Sequence, residues 1–94
     1  MEISYDPAKD ARNIAERGLS FALVSGFDFW AAVFWIDERR DYGEIRYRGL
    51  GLMDGRVHAL VFTETPGGIR VINFRKANKR EVRNYEQAPK PRVD

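Results

Sequence analysis

The 94-residue sequence has no cysteine, one histidine and no long apolar run, and each scarcity excludes a class of protein. Without cysteine there is no disulfide framework, thiolate nucleophile or zinc–sulfur site. His58 alone provides neither a metal-ligand set nor the base of a serine triad. The longest apolar run, residues 29–36, is too short to cross a bilayer, and the first residues lack the pattern of a signal peptide. We therefore expect a cytoplasmic protein that works without a metal, a cofactor or a membrane.

Positive charge is concentrated towards the C-terminus. Residues 1–64 carry eight Lys and Arg against eleven Asp and Glu, a net charge of −3, whereas residues 65–94 carry eight against three, a net charge of +5. The stretch RVINFRKANKREVRNY, residues 70–85, holds six of these cations directly after an apolar run. Such asymmetry is typical of a surface that binds a polyanion.

The hydrophobic share of 44% is that of a globular protein, and we predict one domain over residues 1–87 with a short flexible tail at 88–94. Asp6-Pro7 is a favourable helix start, and Gly18 is a natural stop. Between them an apolar stripe recurs at helical spacing, formed by Ala8, Ala11, Ile14 and Ala15. Ser20 can cap a second, shorter helix over about residues 21–25.

Residues 27–36, FDFWAAVFWI, are apolar at both parities of a strand. This pattern predicts a strand at 29–36 that is covered on both faces, and the alternative is that one face awaits a partner protein. Asp54-Gly55 predicts a hairpin, and a turn at 65–68 separates two further strands. The resulting architecture is an α+β domain with two N-terminal helices, a four-stranded mostly antiparallel sheet and a C-terminal basic helix. The three meander strands are predicted at 44–52, 56–64 and 69–75.

The basic helix is predicted to begin near Lys76. On a helical wheel its cations form one stripe, made of Lys76, Lys79, Arg80 and Arg83. His58 lies mid-strand, where we interpret it as a partly buried side chain with a local hydrogen bond and not as a catalytic residue. Arg46 and Arg48 share one parity of their strand, and Arg70 and Ile72 share one parity of theirs.

Arginine forks and tyrosine rings suit RNA, because guanidinium groups hold phosphates and rings stack on bases. Metal-free cleavage uses the 2′-hydroxyl of the RNA as nucleophile, and it needs a base, cations for the charged transition state and an acid for the leaving oxygen. Glu44 is a candidate base, and Arg70 and Arg75 are candidate stabilisers. Lys76 or Tyr85 can act as acid if neighbouring cations lower its pKa. These residue types do not separate cleavage from binding alone.

Four motifs follow one another at a characteristic spacing: YDPAKDARNIAERGLSF, DYGEIRY, LGLMDGRVHALVFTE and IRVINFRKANKREVRNYE. Together, over about residues 3 to 86, they resemble the BrnT toxins, small ribonucleases of type II toxin–antitoxin systems with a RelE-like fold. The resemblance implies an endoribonuclease that blocks translation. It also implies a BrnA-like ribbon-helix-helix antitoxin as partner, usually in a heterotetramer in which DNA is contacted only through the antitoxin.

From the residues and the resemblance we predict two sets of site residues. The catalytic set is Glu44, Arg46, Arg70, Arg75, Lys76 and Tyr85. The RNA-binding set is Lys9, Arg48, Lys79, Arg80 and Arg83.

The chain departs from the family pattern at two places. Glu16-Arg17-Gly18 stands where the family usually has Lys-His-Gly, and Asn73-Phe74 stands where it often has Ser-Ala. A catalytically inactive nucleic-acid-binding module or a protein-interaction domain is therefore the alternative to a ribonuclease.

Overall fold

Five strands and two α-helices follow one another along residues 1–89, which are the residues that the computed structural model describes. The last part of the predicted tail, residues 90–94, lies outside the described residues. In chain order the elements are β1 (Glu2–Ser4), α1 (Pro7–Arg17), a 3₁₀ helix (Phe21–Gly26), β2 (Val33–Ile36), β3 (Tyr47–Met53), β4 (Arg56–Thr65), β5 (Gly68–Lys76) and α2 (Lys79–Gln87).

The strands form one sheet in the order β1-β5-β4-β3-β2, in which only β1 and β5 are parallel. The prediction of an α+β fold with a mostly antiparallel sheet is confirmed, as is the meander. The predicted count of four strands is wrong, because Glu2–Ser4 pairs with residues 68–70 and adds a fifth strand. At the β3–β4 turn, Asp54 and Gly55 have φ values of 55° and 75°, as a two-residue hairpin of the predicted kind requires.

The second, shorter N-terminal helix predicted at about residues 21–25 is a 3₁₀ helix over Phe21–Gly26. The side chain of Ser20 caps its start by accepting a hydrogen bond from the Ala22 amide, as expected from the sequence. Phe21, Val24 and Phe27 are all buried at a spacing of three residues. A 3₁₀ helix has three residues per turn, so this spacing puts all three side chains on one side of the segment, against the sheet.

The apolar stretch 27–36 forms less strand than predicted. The Asp28 carboxylate accepts hydrogen bonds from the amides of Trp30 and Ala31, which holds a turn and delays the strand until Val33. The prediction of full coverage is wrong, because Trp30 is 75% exposed and Ile36 is 50% exposed. This short edge strand therefore presents apolar side chains to solvent.

Helix α1 is held to the rest of the fold by polar contacts. Its predicted apolar stripe lies largely in solvent, with Ile14 47% exposed. The buried residue is Asn13, whose side-chain amide donates to the carbonyl oxygens of Leu19 at 2.8 Å and Phe74 at 2.9 Å. These two bonds satisfy carbonyls of the following loop and of β5, and so they fix α1 beside the sheet.

We expect Asn13→Ala to lower the free energy of unfolding by about 2 kcal/mol, because two carbonyls lose their buried donor. Asn13→Asp should cost more, since a carboxylate would face two carbonyl oxygens. Chemical denaturation monitored by circular dichroism measures both changes. Asn84→Ala, at an exposed asparagine of α2, is the matched control and should stay within about 0.5 kcal/mol of the parent. Equal losses in the free energy of unfolding for Asn13→Ala and Asn84→Ala would contradict the prediction.

Helix α2 begins three residues later than predicted. Lys76 ends β5, and Asn78 caps the helix by accepting from the Glu81 amide, while the Glu81 carboxylate accepts from the Asn78 amide. This reciprocal capping box fixes the start at Lys79. The apolar side of α2 packs through Val82 and Tyr85 on one face of the sheet, and α1 and the 3₁₀ helix lie on the other side.

Candidate functional site

A β-bulge in β5 decides which arginines share a face of the sheet. The register between β4 and β5 shifts at Ile72, so that Phe62 pairs with Val71 and Val61 pairs with Asn73. In a regular strand, residues five apart such as Arg70 and Arg75 point to opposite faces. The extra residue reverses the alternation and brings both arginines to the α2 side of the sheet. The bulge at Ile72 interrupts the regular alternation on which the predicted shared parity of Arg70 and Ile72 rests.

On this face three successive positions of β4 form rungs with their neighbours. Ala59 pairs with Leu50 and Arg75, Val61 pairs with Arg48 and Asn73, and Thr63 pairs with Arg70. Alternate residues of a strand are about 7 Å apart, so each rung places an arginine one such step further along the sheet. An extended single strand of nucleic acid repeats its phosphates over a comparable distance.

Beside α2 the surface forms a pocket of about 40 Å³, which we call the arginine cleft. Its floor is the sheet around Ala59 and Val61, and three guanidinium-bearing residues, Arg39, Arg48 and Arg75, line it together with Trp35 and Glu81. The guanidinium carbon of Arg48 lies 5.2 Å from the centre of the Trp35 ring, a cation–π contact. The volume is enough for on the order of three water molecules, comparable to one phosphate group.

Arg75 is oriented by Glu81. Its two terminal nitrogens lie 2.7 and 3.0 Å from the two carboxylate oxygens, the bidentate geometry that a guanidinium also offers to phosphate. These hydrogen bonds hold the pKa of the Glu81 carboxyl below its usual value. The Glu81 side chain is 12% exposed, and the same carboxylate closes the capping box, so helix start and arginine position are coupled.

Glu44 lies between two arginines in the loop before β3. Both of its carboxylate oxygens are 3.0 Å from Nη2 of Arg70, and Oε2 is 3.2 Å from Nε of Arg46. Arg46 also stacks over Tyr42, with 4.1 Å between its guanidinium carbon and the ring centre. The Thr63 hydroxyl donates to the Ile45 carbonyl and fastens this loop to the sheet. The structure thus joins three of the predicted catalytic residues in one cluster.

The wall of the cleft on the β2 side is supported by a buried carboxylate. Asp37 directly follows β2 and its side chain is 1% exposed. It accepts from Arg39 Nε at 2.8 Å and Nη2 at 2.7 Å, and from the Tyr42 hydroxyl at 3.1 Å. The Arg39 hydrogen bonds hold the pKa of the Asp37 carboxyl well below its usual range, against the opposing effect of burial.

Asp37→Asn should therefore show a pH-dependent loss of stability. The pKa of Asp37 is lower in the folded protein than in the unfolded chain, where it is near 3.9. The ion pair therefore stabilises the fold fully at pH values above the unfolded-state pKa, and this stabilisation is lost as the pH falls through the folded-state pKa. We expect a loss of about 1–2 kcal/mol at pH 7 that narrows below about pH 4. Urea titrations at pH 7 and pH 3 measure it, with the exposed Asp41→Asn as control. An equal difference in the free energy of unfolding between the parent and Asp37→Asn at both pH values would contradict this role for the ion pair.

Three of the predicted catalytic residues lie apart from the Glu44 cluster: Arg75 lines the arginine cleft, and Lys76 and Tyr85 lie elsewhere. Lys76 has the opposite parity to Arg75 and lines a pocket on the other face with Leu19 and His58. Tyr85 is 8% exposed in the apolar cluster under α2, and burial raises its pKa, the reverse of the direction expected for the acid.

The predicted RNA-binding residues are dispersed. Arg48 lines the arginine cleft. Lys79 and Arg83 line a separate pocket, together with Arg56 and Val82. Arg80 is exposed on α2, and Lys9 lies in a groove beside α1.

His58 makes the predicted local hydrogen bond and is more deeply buried than predicted. It is 2% exposed, its Nδ1 lies 2.8 Å from the Arg56 carbonyl oxygen, and its ring stacks on that of Phe74. Within residues 1–89 no group of three or more His, Cys, Asp or Glu side chains is placed to hold a metal ion. In the same part of the chain no helix is long and apolar enough to span a membrane.

Sequence reasoning missed three residues that line the cleft, Trp35, Arg39 and Glu81, and the buried Asp37 that holds Arg39. An aspartate two residues before an arginine at a strand end is a pattern for a local ion pair. Asn78 followed three residues later by Glu81 is a capping-box pattern that also locates the helix start. The sequence could not predict that Arg48 lies over the Trp35 ring, because that contact depends on the register between β2 and β3.

Comparison with known proteins identifies the family to which the chain belongs. A search of curated proteins finds no significant match. The family model described as the ribonuclease toxin BrnT of type II toxin–antitoxin systems matches residues 5–81, a range that contains the cleft and the Glu44 cluster. This match covers most of the chain, so the protein belongs to the BrnT family of ribonuclease toxins of type II toxin–antitoxin systems.

Proposed function

We propose that this protein is a metal-independent endoribonuclease toxin that acts in the cytoplasm, cleaves RNA and thereby inhibits translation. The observation that carries the proposal is the row of arginines on the α2 side of the sheet, with Glu44 held at one end of it. Family membership supports the ribonuclease class. A RelE-like fold of a single domain over residues 1–87 is part of the proposal.

In the proposed reaction Glu44 takes the proton of the RNA 2′-hydroxyl, and the 2′-oxygen attacks the adjacent phosphorus. Arg70 and Arg46 lie against Glu44, and Arg48 and Arg75 follow along the rungs. The guanidinium groups of Arg46 and Arg70 stabilise the charge that develops on the phosphate oxygens, and those of Arg48 and Arg75 hold the neighbouring phosphates. The bond from phosphorus to the 5′-oxygen breaks, and that oxygen takes a proton from solvent water. The products are a 2′,3′-cyclic phosphate and a 5′-hydroxyl.

Lys76 and Tyr85 have no part in this scheme. The first points to the opposite face, and the second is buried with a raised pKa, so neither is positioned as the acid. Lys79, Arg80 and Arg83 remain proposed contacts for RNA outside the cleft. They are exposed on α2 and add positive potential without touching Glu44.

A BrnA-like ribbon-helix-helix antitoxin is the proposed protein partner, in a heterotetramer whose DNA contacts come from the antitoxin. The exposed apolar side chains of β2 support a docking site for one of its segments, with Phe34 and Trp35 each 39% exposed. Trp35 also lines the arginine cleft. An acidic apolar segment seated on β2 would therefore reach the arginines and block RNA.

The test is cleavage of purified RNA with excess EDTA, followed by analysis of the new ends. We expect an undiminished rate and fragments with 2′,3′-cyclic phosphate and 5′-hydroxyl termini, because protein side chains supply both the base and the cations. Loss of activity in EDTA that a divalent ion restores would overturn the metal-free mechanism. No cleavage by folded protein would favour the binding module.

A further inference from the structure

A second cationic groove, which we call the flanking groove, lies between α1 and the outer edge of β5. It has a volume of about 240 Å³ and is lined by Lys9, Arg12, Glu16 and Arg17 from α1 and by Ile72 and Asn73 from β5. Three cations and one carboxylate give this lining a net charge of +2.

The cations of the flanking groove differ from those of the arginine cleft in having no partner. Within the described residues, the side chains of Lys9, Arg12 and Arg17 make no hydrogen bond or ion pair. In and beside the cleft, by contrast, four arginines are each paired with a carboxylate: Arg39, Arg46, Arg70 and Arg75. The one carboxylate of the groove lining, Glu16, forms no ion pair with any of these three cations within the described residues, so they attract anions more strongly than paired cations do.

The two sites meet at the bulge. Asn73 lines both the arginine cleft and the flanking groove. Strand β1 covers β5 only at residues 68–70, so the outer edge of β5 beyond that point has no neighbouring strand within the described residues. A single strand can therefore pass from the cleft over this edge and into the groove beside α1.

We infer that the flanking groove is a second RNA-binding site, which holds phosphates of the nucleotides on one side of the scissile bond. The inference rests on the proposed function and extends it to the path of the substrate. Arg12 and Arg17 are the principal contacts, because they lie on the helix face that borders the bulge and are free to grip phosphate oxygens. Lys9 adds a third cation.

The experiment uses single-stranded RNA oligonucleotides with one mapped cleavage position, extended by six nucleotides on either the 5′ or the 3′ side. For the wild-type protein we expect extension on one side alone to lower KM at least tenfold. Arg12→Ala/Arg17→Ala should lose this gain, and the slope of log Kd against log salt should fall by about 1.4, which corresponds to two phosphates. Arg40→Glu lowers the net charge by the same two units at one exposed position outside the groove and should keep the gain.

Each outcome decides between definite alternatives. If the lower KM given by an extension on one side is lost only in Arg12→Ala/Arg17→Ala, the flanking groove is supported as an RNA-binding site. An unchanged gain and salt slope in a folded groove variant would overturn it while leaving the ribonuclease proposal intact. Failure of wild type to cleave any RNA would instead overturn the proposed function. If the double variant unfolds, Lys9→Ala is the replacement, with loss of about one phosphate from the salt slope expected.

Discussion

Replacing both Arg70 and Arg75 with alanine is expected to abolish growth arrest and to slow RNA cleavage at least about 10³-fold. Removing a single preorganised donor from a developing negative charge typically costs about 10²–10³ in rate, and the two arginines flank the same face of the sheet at different rungs. The bulge at Ile72 gives them this common face. Induced expression in a bacterial host, with total RNA analysed on a gel, measures both effects.

The fold should survive this change. Arg70 is 45% exposed at its side chain, so its ion pair with Glu44 contributes little to stability. Without Arg75, Glu81 keeps its hydrogen bond from the Asn78 amide and still caps α2. Arg40→Glu, at an exposed position outside the proposed RNA contacts, provides a control of equal charge change. Growth arrest and RNA loss that persist in the folded Arg70/Arg75 variant would refute the site assignment.

Lysine replacements separate charge from geometry at the same positions. Arg70→Lys/Arg75→Lys retains two positive charges but loses the fork that matches a phosphate bidentately. We expect RNA binding close to that of the parent and a rate that remains reduced. Full activity of the lysine variant would mean that net positive potential suffices, which would weaken the role of oriented guanidinium groups.

The meander was predictable because its signals are local. Asp54-Gly55 fixes one hairpin, and the apolar runs on either side supply the strands. The start of α2 was misplaced because the cation stripe extends back to Lys76, whereas the capping box at Asn78 and Glu81 decides the boundary. Charge spacing reports a helix face only if the residues are helical, so a capping pattern should outweigh it.

The candidate site was predictable in residue type but not in geometry. Arg70, Arg75 and Glu44 were named from chemistry and resemblance, yet the shared face of the two arginines depends on one extra residue in β5. A bulge has no reliable local signature, since it arises when both Val71 and Phe74 must reach the core. The burial of Asp37 likewise follows from packing around Arg39 and Tyr42.

Glu44→Gln distinguishes a catalytic base from a carboxylate that only neutralises arginines. As a base, Glu44 accepts a proton in the transition state, and its loss should lower kcat by about 10²–10⁴. The carboxylate also competes with phosphate for Arg70, with two contacts of 3.0 Å. Removing its charge should therefore leave KM unchanged or lower it.

The two roles differ in the expected kcat and agree in the expected KM, so kcat and KM must be measured separately under single-turnover and steady-state conditions. If Glu44 only neutralises the arginines, Glu44→Gln frees Arg46 and Arg70 for the phosphate, and the variant binds RNA more tightly with kcat preserved. Glu38→Gln removes the same charge from an exposed position and controls for the general rise in positive potential. A folded Glu44→Gln protein with undiminished kcat would assign proton abstraction to another group, while the arginines would keep their role in stabilising the phosphate.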